Sequence, residues 1–263
     1  MNTPAHTPIS TIRSKIALLL TSLFTLPLLT LLPSLASAAI SLNVTRVIFD
    51  QQTKEANVRI TNEAEQPILI QTWIDNGDPQ TPLEQLTVPF IITPAFFRLE
   101  TQAIQQLRIL LLQTPDTLPA DKESIFWLNV QEVPPVPQAS NDYMQIALRT
   151  RIKIFYRPTS IPFNTERLHQ QLTFNIAQQN GLSVLQIHNP TPIHITFLKI
   201  TIGPNQSNPA HTFEPEDSMV SPYSTLSIPF ESNTPFPSEN TPVHYIFLDD
   251  FGVATEYKTQ LTK

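Results

Sequence analysis

Residues 144–156 of the chain read MQIALRTRIKIFY, its longest stretch of alternating side-chain character. At the start of this stretch, large apolar residues alternate with smaller or polar ones. Because successive side chains of a β-strand point to opposite faces of the sheet, a period of two is typical of a strand. The pattern predicts a long strand over residues 144–156, with one face that presents Met144, Ile146 and Leu148.

Shorter segments with the same alternation lie on both sides of this stretch. They are bounded by Pro, Asn and Asp, and sustained helical periodicity is missing beyond residue 38. Many short strands at regular spacing are typical of an all-β sandwich. The other predicted strands cover residues 56–61, 68–74, 107–112, 125–133, 182–188, 193–202 and 245–248.

Proline positions predict where the chain divides. Proline cannot donate a hydrogen bond to a β-ladder, so it belongs in turns and at sheet edges. Segment 157–164 contains Pro158 and Pro162 and is the predicted hinge between two domains, residues 39–158 and 159–263. These pieces hold about 120 and about 105 residues, each the size of one immunoglobulin-like sandwich.

The N-terminus has the features of a secretory signal. Arg13 and Lys15 precede the apolar run 16–32, and the small residues Ala36-Ser37-Ala38 follow it. A membrane anchor is the alternative, since a run of this length just spans a bilayer. Two prolines in and after the run and its cleavage-like end favour a signal peptide over residues 1–38, removed to leave no stable membrane insertion. Its loss takes the formal charge from −6 to −8.

Composition argues against several functions. The chain has no Cys, so it forms no disulfide and uses no thiol chemistry, and no Lys/Arg run is long enough to bind nucleic acid. With four glycines, no phosphate-binding loop is possible. Scattered histidines and the adjacent carboxylates Asp249 and Asp250 lack the spacing of a metal or catalytic site. We therefore expect neither an enzyme nor a cofactor; the histidines considered for such a site are His188, His194, His211 and His244.

A series of sequence blocks carries a family resemblance. They are residues 42–49 (LNVTRVIF), 73–75 (WID), 93–94 (TP), 118–129 (LPADKESIFWLN), 133–135 (VPP), 145–148 (QIAL) and 151–158 (RIKIFYRP), with weaker matches at 189–192 and 250–252. In this order they resemble the periplasmic pilus (fimbrial) assembly chaperone family of the chaperone–usher pathway. The resemblance implies two immunoglobulin-like β-sandwich domains in a boomerang arrangement, with a cleft between them.

The resemblance also implies a binding site for a carboxylate. In the family, an Arg on the first strand and a Lys near the end of the long strand bind the C-terminal carboxylate of a pilus subunit. The matching residues are Arg46 and Lys153. Two cations that converge on one carboxylate form charge-assisted hydrogen bonds. Two solvated surface charges are the alternative interpretation.

The apolar row of the long strand has a second implied role. A pilus subunit is a sandwich that lacks its last strand, and the chaperone inserts Met144, Ile146 and Leu148 into the open groove while its backbone pairs with the groove edges. The alternative is that the row faces the core of its own domain. Lys153 lies an odd number of residues from Leu148, so a flat strand points their side chains to opposite faces.

Three further implications concern domain geometry and subfamily. Glu123, Arg157 and Asp250 match residues that link the two domains by ion pairs in the family, and we expect them to set the cleft angle more than the stability, because exposed pairs contribute little. The short segment 134–143, with no flanking cysteines, matches the branch that assembles pili. Thr93-Pro94 matches a family position with a cis peptide bond.

The implied partners are pilus subunits, bound one-to-one in the periplasm, and an outer-membrane usher. Exchange with the next subunit's donor segment releases the subunit without nucleotide. We expect the free protein to cover its apolar row in a self-capping dimer. The alternative function is that of a secreted two-domain β-sandwich fibre subunit or adhesin.

Overall fold

The computed structural model describes residues 39–112, 118–133, 146–161, 167–179, 182–203, 211–215, 218–230 and 239–262. Within these ranges the chain forms β-strands and two short 3-10 helices, Leu83–Gln85 and Leu168–Gln171. The prediction of an all-β fold is confirmed. The strands form four sheets, which enclose two separate hydrophobic cores.

The first sandwich pairs a four-stranded sheet with a five-stranded one. The sheets have the strand orders β1-β3-β7-β5 and β2-β9-β8-β4-β6. All described pairs are antiparallel except β2 with β9, which is parallel. The strands are β1 (Ile40–Leu42), β2 (Arg46–Asp50), β3 (Glu55–Asn62), β4 (Ile68–Asp75), β5 (Phe90–Thr93), β6 (Phe96–Leu99), β7 (Ile104–Leu111), β8 (Ser124–Val133) and β9 (Arg149–Arg157).

The core of this sandwich is formed by every second residue of its strands. In β9, for example, Ile152, Ile154 and Tyr156 belong to the core, while Lys153 and Phe155 between them lie on the opposite face of the strand. Phe49 and Phe90 meet edge to face with 4.9 Å between ring centroids. Such contacts add to the hydrophobic stabilisation that burial of the rings supplies.

The second sandwich has a three-stranded sheet, β10-β11-β15, and a sheet of order β13-β12-β16-β17 in which β14 also pairs with β12. Phe174, Phe197 and Tyr245 are fully buried in its core. The strands are β10 (Thr173–Gln179), β11 (Leu182–Asn189), β12 (Ile195–Ile202), β13 (His211–Phe213), β14 (Met219–Val220), β15 (Ser224–Phe230), β16 (Pro242–Leu248) and β17 (Ala254–Gln260).

The predicted strand over residues 144–156 is wrong at its start. The strand β9 begins at Arg149, where the ladder between β8 and β9 begins with the pair Gln131–Arg149. Among the described residues, one further hydrogen bond, from Glu132 N–H to Leu148 O (2.9 Å), extends this contact. A strand needs a partner as well as an alternating pattern, and the sequence pattern did not reveal that the ladder stops at Gln131, two residues before the end of β8. Met144 lies outside the described residues.

Two local findings complete the fold. The Thr93–Pro94 peptide bond is cis, as the resemblance implied. Among the described residues, no helix has the length and apolar character needed to cross a membrane.

Candidate functional site

Arg46 and Lys153 are direct neighbours on adjacent strands. The parallel pairing of β2 with β9 places Arg46 opposite Lys153 in register. Strands of one sheet lie about 4.8 Å apart, and residues in register point to the same face. Phe49 and Ile154 occupy the opposite phase of their strands and are buried in the core. The two cations therefore share the side of the five-stranded sheet that faces away from the core, which we call the outer face.

Arg46 is half-buried against the second sandwich. Its Nη1 donates a hydrogen bond to the backbone oxygen of Leu248 (3.2 Å), and its guanidinium carbon lies 5.6 Å from the centroid of the Phe155 ring. Burial lowers the pKa of Arg46, while the carboxylates of Asp250, Asp249 and Glu123 oppose that shift. The buried Nε of Arg46 has no hydrogen-bond partner within the described ranges. Buried N–H groups of folded proteins nearly always have a partner, so this one is a donor that the described residues leave unsatisfied.

Lys153 lies against an aromatic ring. Its Nζ is 5.3 Å from the centroid of the Trp127 ring, which also has the guanidinium of Arg151 at 4.5 Å. Trp127 is the register neighbour of Lys153 on β8, and Asp75 is that of Trp127 on β4. Cation–π contacts of this kind are worth about 0.5–1 kcal/mol at exposed sites and more when water is excluded. They hold Lys153 over the outer face.

Asp75 balances the positive charge of Arg151 within this face. Arg151 Nη2 donates to Asp75 Oδ1 at 2.6 Å, and Asn129 Nδ2 donates to Asp75 Oδ2 at 2.7 Å. Burial would raise the pKa of Asp75, but hydrogen bonds from Arg151, Asn129 and the Gly77 N–H outweigh it and hold the pKa below its ordinary value. Arg151 is thus neutralised locally by Asp75.

Ile146 and Leu148 lie just before β9 and are exposed to 66% and 50% of their surfaces. Neither residue belongs to the hydrophobic core of the first sandwich. The alternative interpretation, in which the apolar row faces its own core, is therefore wrong for these two residues. Because both precede the strand, the alternation of β9 does not determine where their side chains point relative to Lys153.

The structure brings Glu123, Arg157 and Asp250 together. Arg157 Nη2 is 2.7 Å from Glu123 Oε1, and Arg157 Nη1 is 2.8 Å from Asp250 Oδ2. Burial would lower the pKa of Arg157, but its hydrogen bonds and proximity to both carboxylates raise it above its ordinary value. Only 8% of the Arg157 side chain and 1% of the Glu123 side chain are exposed. The expectation of exposed pairs with little energetic weight is therefore wrong for Glu123–Arg157.

His194 is a fourth member of this cluster. Its backbone N–H donates to Glu123 Oε2 (2.8 Å), and its ring Nδ1 lies 3.2 Å from the same oxygen. The histidine side chain is 5% exposed. Both oxygens of Glu123 are consequently bound, one by Arg157 of the first sandwich and one by His194 of the second.

Family models match nearly all of the chain after residue 38. The N-terminal domain model of the PapD pili and flagellar-assembly chaperones matches residues 39–162, and the C-terminal domain model of the PapD pili assembly chaperones matches residues 167–259. The chaperone FimB/FhaD of Bordetella pertussis is 35% identical over 86% of this chain and 89% of its own length. The chain belongs to the pilus assembly chaperone family.

Other pilus chaperones are similar in sequence and in structure. The probable fimbrial chaperone YadV of Escherichia coli is 32% identical over 85% of this chain and 90% of its own. The crystal structure of the Pseudomonas aeruginosa CupB2 chaperone is 31% identical, covers 84% of this chain and 100% of that one, and has a TM-score of 0.69. A Salmonella enterica SafB chaperone, solved in complex with the SafA pilin, has the same fold at 24% identity, with a TM-score of 0.67 over 88% of this chain and 99% of its own.

The role of this pilus chaperone family lies in folding and assembly, so the chain is not an enzyme.

Sequence reasoning missed two parts of the site. Asp75 and Arg151 both stand in the blocks that carried the resemblance, and their opposite charges were a usable signal. His194 was taken for an isolated histidine, because its partner Glu123 is 71 positions away and no short-range pattern connects them.

Proposed function

We propose that this pilus chaperone binds, folds and caps pilus subunits by donor-strand complementation in the periplasm and delivers them to an outer-membrane usher. The observation that carries the proposal is the register of β2 with β9, which sets Arg46 beside Lys153 on the outer face. The names of the relatives support the same role, since FimB/FhaD is named a chaperone and YadV a probable fimbrial chaperone. This favours a chaperone over a fibre subunit or adhesin.

Arg46 and Lys153 would anchor the C-terminal carboxylate of the subunit. Arg46 offers a buried Nε donor without a partner in the described part of the chain, and Lys153 offers an ammonium held by Trp127. Each hydrogen bond to a charged group contributes about 1.5–3 kcal/mol. A carboxylate between these cations would therefore fix the end of the subunit chain beside Lys153 of β9.

Residues 144–148 would then act as the donor segment. Ile146 and Leu148 are exposed apolar side chains, and Met144 continues their spacing at a position outside the described residues. Full burial of such a side chain contributes about 1.5–3 kcal/mol. A subunit groove that lacks one strand would bury the row and pair with its backbone, which keeps the groove from pairing with other subunits.

The rest of the proposal concerns processing and partners. Residues 1–38 act as a cleaved signal peptide, and residues 39–158 and 159–263 form the two domains of the exported chain. The complex contains one subunit per chaperone, and the free protein forms a self-capping dimer through the donor segment. The short segment 134–143, which lies outside the described residues, places the chain in the branch that assembles pili.

Co-purification from periplasm with the pilus subunit encoded beside this chain tests the anchor. We expect the wild-type chain to hold the subunit one-to-one, and Arg46→Ala or Lys153→Ala to reduce capture at least tenfold, because each change removes a charge-assisted hydrogen bond worth about 1.5–3 kcal/mol. Arg98→Ala is the matched control, since Arg98 is a surface cation whose side chain is 63% exposed. Equal capture by all four chains would refute the anchor.

A further inference from the structure

The turn between β16 and β17, residues 249–253, presents apolar side chains to solvent. Phe251 is 86% exposed and Val253 is 57% exposed. Single exposed apolar residues are common on protein surfaces and carry no meaning alone. This pair is notable because of how rigidly the turn holds it and because of what the turn contacts.

Four hydrogen bonds close the turn. The N–H groups of Phe251 and Val253 donate to Asp249 Oδ1 at 2.9 and 2.8 Å. The backbone N–H of Asp249 donates to Val253 O, and that of Gly252 donates to Asp249 O, both at 3.0 Å. Asp250, the second residue of this segment, forms an ion pair with Arg157 of the first sandwich. An aromatic side chain on a fixed backbone loses little conformational freedom when it binds a partner.

The turn packs against the strand that carries the anchor. Gly252 has a φ of +77°, and a Cβ at this position would overlap Thr45 Oγ1 and lie 4.0 Å from Arg46 Nε. Only glycine therefore allows the turn to approach β2 this closely. Standard backbone dimensions then place the Cα of Phe251 within about 10 Å of Arg46 Nε, the span of about three residues of an extended chain.

We propose that the turn 249–253 is a second contact surface for the bound subunit, and that Phe251 and Val253 pack against an apolar side chain within the subunit's last three residues. The inference rests on the proposed anchoring of the subunit carboxylate at Arg46 and Lys153. The acidic side chain of Asp249 lies in the same turn as Phe251, so an Asp or Glu in those last residues is disfavoured by like charge. The surface thus selects subunits with apolar C-terminal residues.

Peptide binding measured by calorimetry tests this surface. The probes are nine-residue peptides of alternating Ser and Thr with a free C-terminal carboxylate, carrying Phe at one of the last three positions, Asp at the same position, or neither. We expect wild type to bind the best Phe peptide about tenfold more tightly than the plain peptide and to bind the Asp peptide most weakly. Phe251→Ser should remove the tenfold preference and leave the plain peptide unchanged. Phe96→Ser, at an aromatic residue of β6 that is 61% exposed, is the matched control.

The outcomes separate this inference from the proposed function. Amidated peptides that bind wild type as well as free acids would overturn the anchor, and the inference with it. Carboxylate-dependent binding with an unchanged Phe preference in Phe251→Ser would overturn the turn surface alone. Sedimentation of the free chains tests whether the turn binds a second copy of the chain instead. If Phe251→Ser abolishes self-association and leaves peptide affinity intact, the turn binds that second copy and the inference is wrong.

Discussion

Asp75 keeps its negative charge in a position from which water is excluded. Its side chain is 2% exposed, and it remains ionised because Arg151, Asn129 and the Gly77 N–H all donate to it. Breaking a buried charge pair leaves an uncompensated charge, which costs more than a surface pair contributes. Asp75 is therefore the part of the site that neutralises Arg151 beside Lys153 and Trp127.

Asp75→Asn should change the response of stability to acid. The pKa of Asp75 in the folded chain lies below its ordinary value of 3.8, so its contribution is complete above about pH 4 and is lost as pH falls through the folded-state pKa. We expect Asp75→Asn to lower the free energy of unfolding at pH 7 by about 1.5–3 kcal/mol and to flatten its decline between pH 4 and pH 2. Urea unfolding across this range measures both effects.

The exposed Asp121 provides the matched control. Asp121→Asn removes one surface carboxylate and leaves the contacts of Asp75 in place, so its acid decline is the reference for that of Asp75→Asn. If Asp75→Asn declines with acid as steeply as wild type, the contacts of Asp75 do not couple its ionisation to folding.

At the scale of elements, β9 and the residues before it combine two properties. The strand is paired on both sides, with β2 and with β8, while Ile146 and Leu148 precede the first ladder pair and are exposed. A rigid strand therefore holds one end of the proposed donor segment.

Ile146→Asp and Leu148→Asp should separate subunit binding from chaperone stability. Because both side chains are exposed, we expect the free energy of unfolding of the free chain to change by no more than about 0.5 kcal/mol. Subunit capture should fall by tenfold or more for each, since a buried side chain of this size contributes about 1.5–3 kcal/mol. Ile104→Asp, at a residue of β7 that is 60% exposed, should leave both quantities unchanged. Strong destabilisation of the free chain would instead assign the row to its own core.

Much of the strand pattern could be predicted from the sequence. Segments such as 56–61 and 68–74 fall within β3 and β4, because one buried face imposes a period of two. The start of β9 could not be predicted, since it depends on where the β8 ladder begins. Short strands such as β13 and β14 were also missed, because three or two residues show no period. The register that sets Arg46 beside Lys153 was not predicted, and the family blocks implied only that the two cations bind one carboxylate.

At the scale of the whole molecule, one buried cluster connects the two sandwiches. Arg157 ends β9 of the first sandwich, Asp250 follows β16 of the second, and Glu123 receives hydrogen bonds from both Arg157 and His194. Sequence reasoning grouped three of these residues through the resemblance. Their burial was not predictable, because exclusion of water depends on how the strands pack around them.

Arg157→Ala should destabilise the protein by about 3–5 kcal/mol, because it leaves Glu123 buried without a compensating charge. The double variant Arg157→Ala/Glu123→Ala should recover part of the lost free energy of unfolding, since the Glu123 carboxylate that would be left uncompensated is also removed. Urea unfolding of Arg157→Ala, Glu123→Ala and the double variant gives a double-mutant cycle. Arg98→Ala is the surface control. A loss below about 1 kcal/mol for Arg157→Ala would place the pair among ordinary surface ion pairs.

The contact of Arg46 with the second sandwich determines how late in the formation of the chain the surroundings of Arg46 are complete. The neighbour of Arg46, Lys153, follows 107 positions later in the chain, and Leu248, whose backbone oxygen accepts its hydrogen bond, follows 202 positions later. A chain synthesised from its N-terminus thus carries Arg46 long before the rest of the site exists. The surroundings of Arg46 are complete only when β16 has emerged and folded. A chain interrupted before β16 would hold both cations without this support.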